Sequence, residues 1–113
     1  MTARDFRRLA LNLPQAAEAA HHGHPDFRVA ERVFATLDYP RRGWGMIKLT
    51  PEQQPLFVHT RSGAFVPAQG AWGRGGATMV RLRTVSRTAV REALLLAWRN
   101  RAPPRVAALL ASP

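Results

Sequence analysis

The sequence predicts an α+β fold: an antiparallel sheet with helices packed on one face, in the rough order α-β-β-β-β-α-β-α-α. Three observations carry this. Apolar stripes of helical period open and close the chain, and each stops at proline. Between them run short segments of period two, rich in Val, Phe, Ile and Thr. Turn residues punctuate those segments at Gly23, Tyr39–Gly43 and Gly70–Gly76.

The first helix begins at Thr2, an N-cap with Asp5 three residues on, near the positive end of the helix dipole. Phe6, Leu9, Ala10 and Leu13 recur on one face, Arg4, Arg7 and Arg8 lie off it, and Pro14 ends the helix. Residues 16–24 read as a short strand that runs into a turn at Gly23 and His24-Pro25. Phe27–Val29 and Arg32–Leu37 are strands, with Val33, Ala35 and Leu37 sharing a face. Ala30-Glu31 between them is a two-residue hairpin turn of poor chemistry, because neither residue takes positive φ easily. After a loop at Tyr39–Gly43, Trp44–Leu49 places Gly45, Ile47 and Leu49 on one face and Trp44, Met46 and Lys48 on the other.

Thr50-Pro51-Glu52-Gln53 is the clearest local signal. Thr50 is an N-cap, Pro51 takes the first helical position and Gln53 completes a capping box, which starts a short helix over 51–59. Residues 61–70 read as a mixed loop with Phe65 and Val66 as buried anchors. Thr78–Thr84 is the last strand, with Val80 and Leu82 on one face and Met79, Arg81 and Arg83 on the other. Ser86 caps the longest helix, whose buried stripe is Val90, Ala93, Leu94, Ala97 and Trp98. Pro103-Pro104 breaks it, and a final short helix covers Arg105 to Leu110.

Gly70–Gly76, GAWGRGG, sits where a phosphate-binding loop could be sought. It lacks the Lys-Ser/Thr of a P-loop and the G-x-G-x-x-G spacing of a dinucleotide site, and a strand rather than a helix follows. Gly70–Gly73 matches the GxxG of KH modules only loosely, since that loop joins two helices and exposes polar residues. The stretch therefore reads as a tight turn into the Thr78 strand, with Trp72 anchored and Arg74 exposed.

The 113 residues suit one domain spanning 1–113. With no cysteine there is no disulfide or thiolate zinc site, and a cytoplasmic location is expected. No segment approaches a membrane span, and the charged N-terminal helix does not read as a signal peptide. The net charge of +10 favours anionic partners: nucleic acid, an acidic protein or a membrane surface.

Three blocks, HPDFRVAERVFATL, WGMIKLTPEQQ and AFVPAQGAWGRGGATMVRL, resemble the MmcQ/YjbR family of small bacterial proteins, and the resemblance covers nearly the whole chain. It implies a CyaY-like fold, related in shape to bacterial frataxin, and the DNA-binding label that the family often carries. Lys48, Trp72, Gly73 and Arg74 occupy its signature positions. Ala30-Glu31 departs from the glycine-rich pair usual there, and Arg32 stands where lysine is common. The family brings no catalytic residues.

The expected function is therefore nucleic-acid binding, DNA in the first instance, with phosphates contacted by arginines and little base readout. The candidate residues are Arg28, Arg32, Arg41, Arg42, Lys48, Trp72, Arg74, Arg81 and Arg83, with Arg87, Arg91, Arg99 and Arg101 on the long helix as a rival patch. The alternative is an adaptor that docks an acidic protein. Iron handling would need an acidic cluster, and the seven acidic residues are scattered. His22 and His24, on a strand, would point the same way beside His21, yet spacing supplies no third metal ligand. No enzyme activity or cofactor is expected, and the protein is expected to be a monomer or weak dimer.

Overall fold

The computed structural model describes residues 1–60 and 63–110. Six strands form one antiparallel sheet in the order β1-β2-β3-β4-β6-β5: β1 Ala17–His21, β2 His24–Val29, β3 Arg32–Leu37, β4 Trp44–Lys48, β5 Phe65–Pro67 and β6 Ala77–Arg81. Five helices accompany them: α1 Ala3–Leu11, α2 Gln54–Val58, α3 Gly70–Arg74, α4 Arg87–Arg101 and α5 Pro104–Ala107, the last continued by a 3-10 turn, Ala108–Leu110. The α+β class and the helical layer on one face are as expected.

That layer is α1 and α4. Thr2 and Asp5 exchange backbone-to-side-chain hydrogen bonds at the start of α1, a full capping box. Ser86 Oγ accepts the Ala89 N–H at the start of α4. Such caps are worth about 1 kcal/mol each. The core is worth more: Phe6, Phe27, Phe34, Leu37, Ile47, Val80, Leu94 and Trp98 are all fully buried, at about 2 kcal/mol per large side chain. All five residues of the predicted α4 stripe are buried. The Trp98 indole also donates to the Pro14 carbonyl at 2.9 Å, tying α4 to the segment that ends α1.

Several boundaries differ from the sequence reading. The strand expected over 16–24 stops at His21, and β2 begins at His24 after a two-residue turn in which His22 and Gly23 both have positive φ. Pro25 is tolerated in β2 because the register with β3 begins only at Asp26. Ala30-Glu31 is the expected two-residue turn, and both residues take positive φ, 49° and 65°. Val33 does not share a face with Ala35 and Leu37. A bulge pairs Phe27 with Ala35 but Arg28 with Val33, so the extra residue, Phe34, enters the core and Val33 turns to the other face.

The helix expected over 51–59 is regular only from Gln54, although Thr50 and Gln53 do exchange the capping-box bonds. Pro55 has no N–H to continue the first turn. The mixed loop contains strand β5; Phe65 is buried as expected, but Val66 is 37% exposed on the opposite face, and Arg61 and Ser62 lie outside the described residues. The strand expected to reach Thr84 ends at Arg81, where Thr84 and Val85 N–H groups turn back to the Arg81 carbonyl and lead into α4.

The GAWGR segment is the largest departure: it is a helical turn, α3, rather than an irregular turn. Gly73 makes this possible. A Cβ there would lie 1.7 Å from the Ala68 carbonyl oxygen. Gly76, at φ 109°, is equally constrained, with a Cβ falling 2.1 Å from the Leu49 oxygen. The Gln54 amide braces the same corner, reaching the Gly73 and Ala77 carbonyls and the Thr78 hydroxyl at 3.1 Å each.

Two stability measurements follow. Replacing Ala30-Glu31 by Asn-Gly removes an unfavourable left-handed pair and is expected to stabilise by about 1 kcal/mol, a Tm rise of about 5 °C in a thermal melt. Gly73→Ala is expected to cost about 3 kcal/mol or more by urea titration, because backbone rather than a flexible side chain must move.

Candidate functional site

The face of the sheet opposite α1 and α4 is where chemistry-bearing side chains collect. Strand pairing sets a row across it: Ala19, Asp26, Thr36, Met46, Met79 and Val66 are successive lateral neighbours. Met46, fully buried, forms a small second cluster with Ala68 and Ala77, against which Tyr39 and Met79 pack. Trp72 lies over this region from α3. It is 40% exposed, edge-on to Tyr39 at 5.2 Å between ring centroids, with the Lys48 ammonium 5.6 Å from its own centroid. The sequence reading anchored Trp72; the structure leaves much of the ring open because the close approach at Gly73 holds α3 against the end of the sheet rather than inserting it into the core.

Three concavities meet at that ring. One, of about 340 Å³, is lined by Lys48, Thr50, Trp72, Asn100 and Arg101 among others. A second, of about 280 Å³, contains His21, Arg28, Thr36, Met46, Lys48 and Trp72. The third, of about 310 Å³, contains His21, His22, His24, Thr36, Tyr39 and Trp72. Shared walls make them one groove that crosses the sheet beneath Trp72.

The groove has an ordered electrostatic frame. Asp26 is fully buried and accepts from Arg28 Nε through Oδ1 at 2.8 Å and from Nη2 through Oδ2 at 3.0 Å, while His21 Nδ1 meets that same Oδ2 at 2.6 Å. The Arg28 hydrogen bond, with help from His21, outweighs burial and holds the Asp26 carboxyl below the usual aspartate value. At the other end, among the described residues, no carboxylate forms an ion pair with Lys48. Burial first, then the charge of Arg101, pushes its pKa below that of an ordinary lysine. Asn100 fixes the spacing there, donating to the Lys48 carbonyl and to Gln53.

Of the nine residues expected to bind nucleic acid, the groove gathers Arg28, Lys48 and Trp72. Arg81 is on the same face but further along, its guanidinium 4.7 Å over the Trp44 ring. Arg42 and Arg83 share a different cleft with Met1 and Asp38. Arg32 pairs with Val29 at the start of β3, and Arg41 and Arg74 are exposed outside the groove. The rival patch on α4 contributes Arg101. The sequence reading missed Asp26, Thr36 and Tyr39. Asp26 and Arg28, two apart on a strand, were the available signal; their junction with His21 needs the β1–β2 register. His22 and His24 do not point the same way on a strand, since His22 is in the turn and His21 pairs with His24. Among the described residues no group of three His, Cys, Asp or Glu side chains could hold a metal ion, and no helix is long and apolar enough to cross a membrane.

The Asp26 arrangement has a pH signature. Its folded-state pKa is depressed, so its contribution to stability is present above the ordinary value of 3.8 and is lost as pH falls through the lower folded value. Urea midpoints measured from pH 6 downward are expected to fall in that acidic window, and Asp26→Asn is expected to start lower and to lose part of that pH dependence.

A family model described as YjbR matches residues 11–100. Among solved structures the chain is similar to the crystal structure of Deinococcus radiodurans protein DR2400, which has a DUF419 domain. The two share 20% identity and a TM-score of 0.71 over 86% of this chain and 75% of that one, a likeness of fold. No curated protein matches. A six-stranded antiparallel sheet with its long helices on one face, and a family match over most of the sequence, lead to one conclusion: the chain belongs to the YjbR family.

Proposed function

We propose that the protein binds nucleic acid across the open sheet face, with single strands preferred and little base readout. The observation that carries this reading is the half-open Trp72 ring set between Lys48 and the Arg28 side of the groove. Exposed aromatic rings interleaved with cations are the common design of single-strand binding surfaces, since every base has a face to stack and every nucleotide a phosphate. Arg81 over Trp44 extends the same chemistry along the face. Lys48 and Arg101 crowd each other in the adjoining concavity, and a phosphate between them would relieve that repulsion.

Charge accounting favours the same partner. Asp5, Glu18 and Asp26 each pair with an arginine of the chain, so much of the small acidic complement is already engaged. The net charge of +10 is left to attract polyanions. An acidic protein would be held by the same cations without needing an aromatic platform. Trp72→Ala separates these two readings.

Fluorescence anisotropy with a labelled oligothymidylate, against a duplex of equal length, over a salt series is the test. Trp72→Ala is expected to weaken single-strand binding by about tenfold or more, the loss of one stacked base. Arg81→Ala and Arg101→Ala are each expected to flatten the slope of log affinity against log salt by about 0.7. The pair Arg42→Ala and Arg83→Ala, in the other cleft, is expected to change binding far less. Absence of binding at low salt, or equal losses from both clefts, overturns the proposal.

A further inference from the structure

One polar group in the groove is unexplained by folding. Thr36 is 4% exposed, and within the described residues its Oγ1 is the buried side-chain polar atom that lacks a hydrogen-bond partner. A buried hydroxyl without a partner costs free energy that valine of the same shape would not. Thr36 sits on β3 between Asp26 and Met46, and it lines both the second and the third concavity.

Its surroundings suit a planar polar ring. His21 and Trp72 line the same two concavities. The His21 imidazole faces the ionised Asp26 through Nδ1, so the ring is oriented and, when neutral, carries its hydrogen there. Nε2 is then left as an acceptor. Tyr39 and Trp72, held edge-to-face at 5.2 Å, supply the aromatic wall. Each concavity, near 300 Å³, lies at the small end of ligand-site volumes. Lys48 is at the rim, close enough to the Trp72 ring for a cation contact.

We propose that this part of the groove is a seat for one nucleotide unit. Its heteroaromatic ring packs against Trp72 and Tyr39, the ring's polar edge engages Thr36 Oγ1 and His21 Nε2, and its phosphate meets Lys48. The seat deepens the nucleic-acid reading and rests on it for the source of that unit, an unstacked nucleotide of a strand. A free nucleotide has the same chemistry, and the test separates the two.

The discriminating variant is Thr36→Val, which keeps shape and removes the hydroxyl. Because it also removes an unpartnered buried group, its Tm is expected to equal or exceed that of the parent, which a hydroxyl serving the fold would not allow. Binding is compared for an oligothymidylate, the same backbone carrying abasic units, and thymidine 5′-monophosphate. The parent is expected to prefer the oligothymidylate to the abasic strand. Thr36→Val is expected to lose about five- to tenfold of that preference while holding the abasic strand as before. If the parent binds both strands equally, or Thr36→Val leaves the preference intact, the seat is wrong although nucleic-acid binding stands. If only the monophosphate binds and Thr36→Val loses it, the seat stands and the strand reading falls. If none of the three binds, both are wrong.

Discussion

The architecture of the open face depends on one close approach of backbone to backbone. Gly73 packs where a single methyl group would overlap the Ala68 carbonyl. This lets α3 lie flat against the end of β6, with Gln54 bonding the carbonyls on either side of the corner. From there Trp72 extends over β4 and β3 instead of entering the core. Without that contact the groove would have no roof. Lys48 would lose its aromatic neighbour, and the cluster of Met46, Ala68 and Ala77 would lose the helix beside it.

The two faces of the sheet follow different energetics. The inner face is conventional: fully buried aromatic and aliphatic side chains from β2, β3, β4 and β6 pack against α1 and α4, and hydrophobic transfer dominates. The outer face keeps polar features that a purely structural face would not need. It holds a buried carboxylate that needs Arg28 and His21, an ammonium crowded by Arg101 and a hydroxyl with no partner. The last two could be replaced by apolar groups at little or no cost to stability, whereas removing Asp26 alone leaves Arg28 without its partner and lowers it. Such uncompensated features collect where a surface has work other than folding.

The bulge at Phe34 links the two faces. It adds one residue to β3, so Phe34, Ala35 and Leu37 all serve the core while Val33 and Thr36 face outward. Thr36 thereby becomes the lateral neighbour of Asp26, with Met46 on its other side through the regular β3–β4 pairing, and the groove gains its floor. A strictly alternating strand would have kept Val33 with Ala35 and Leu37 on the inner face.

By itself the sequence determined the inner half of the protein. The stripe of α4, the caps at Thr2 and Ser86, the strands from Phe27 to Lys48 and the α+β class all rest on local periodicity and capping chemistry, which neighbours in the chain suffice to express. It also named Arg28, Lys48 and Trp72, because charge and aromatic character are properties of composition. Tertiary structure alone decided what depends on distant segments meeting. β5 pairs with β6, a distant segment, and α3 is seated by the close approach of Gly73 to Ala68 and by the Gln54 amide. His21 meets Asp26 through a hairpin register, and Thr36 lies beside Asp26 because the inserted residue, Phe34, shifts the pairing of β3 on β2 by one. Long-range contact is not written in any single window of the sequence, and the groove is built almost wholly from such contacts.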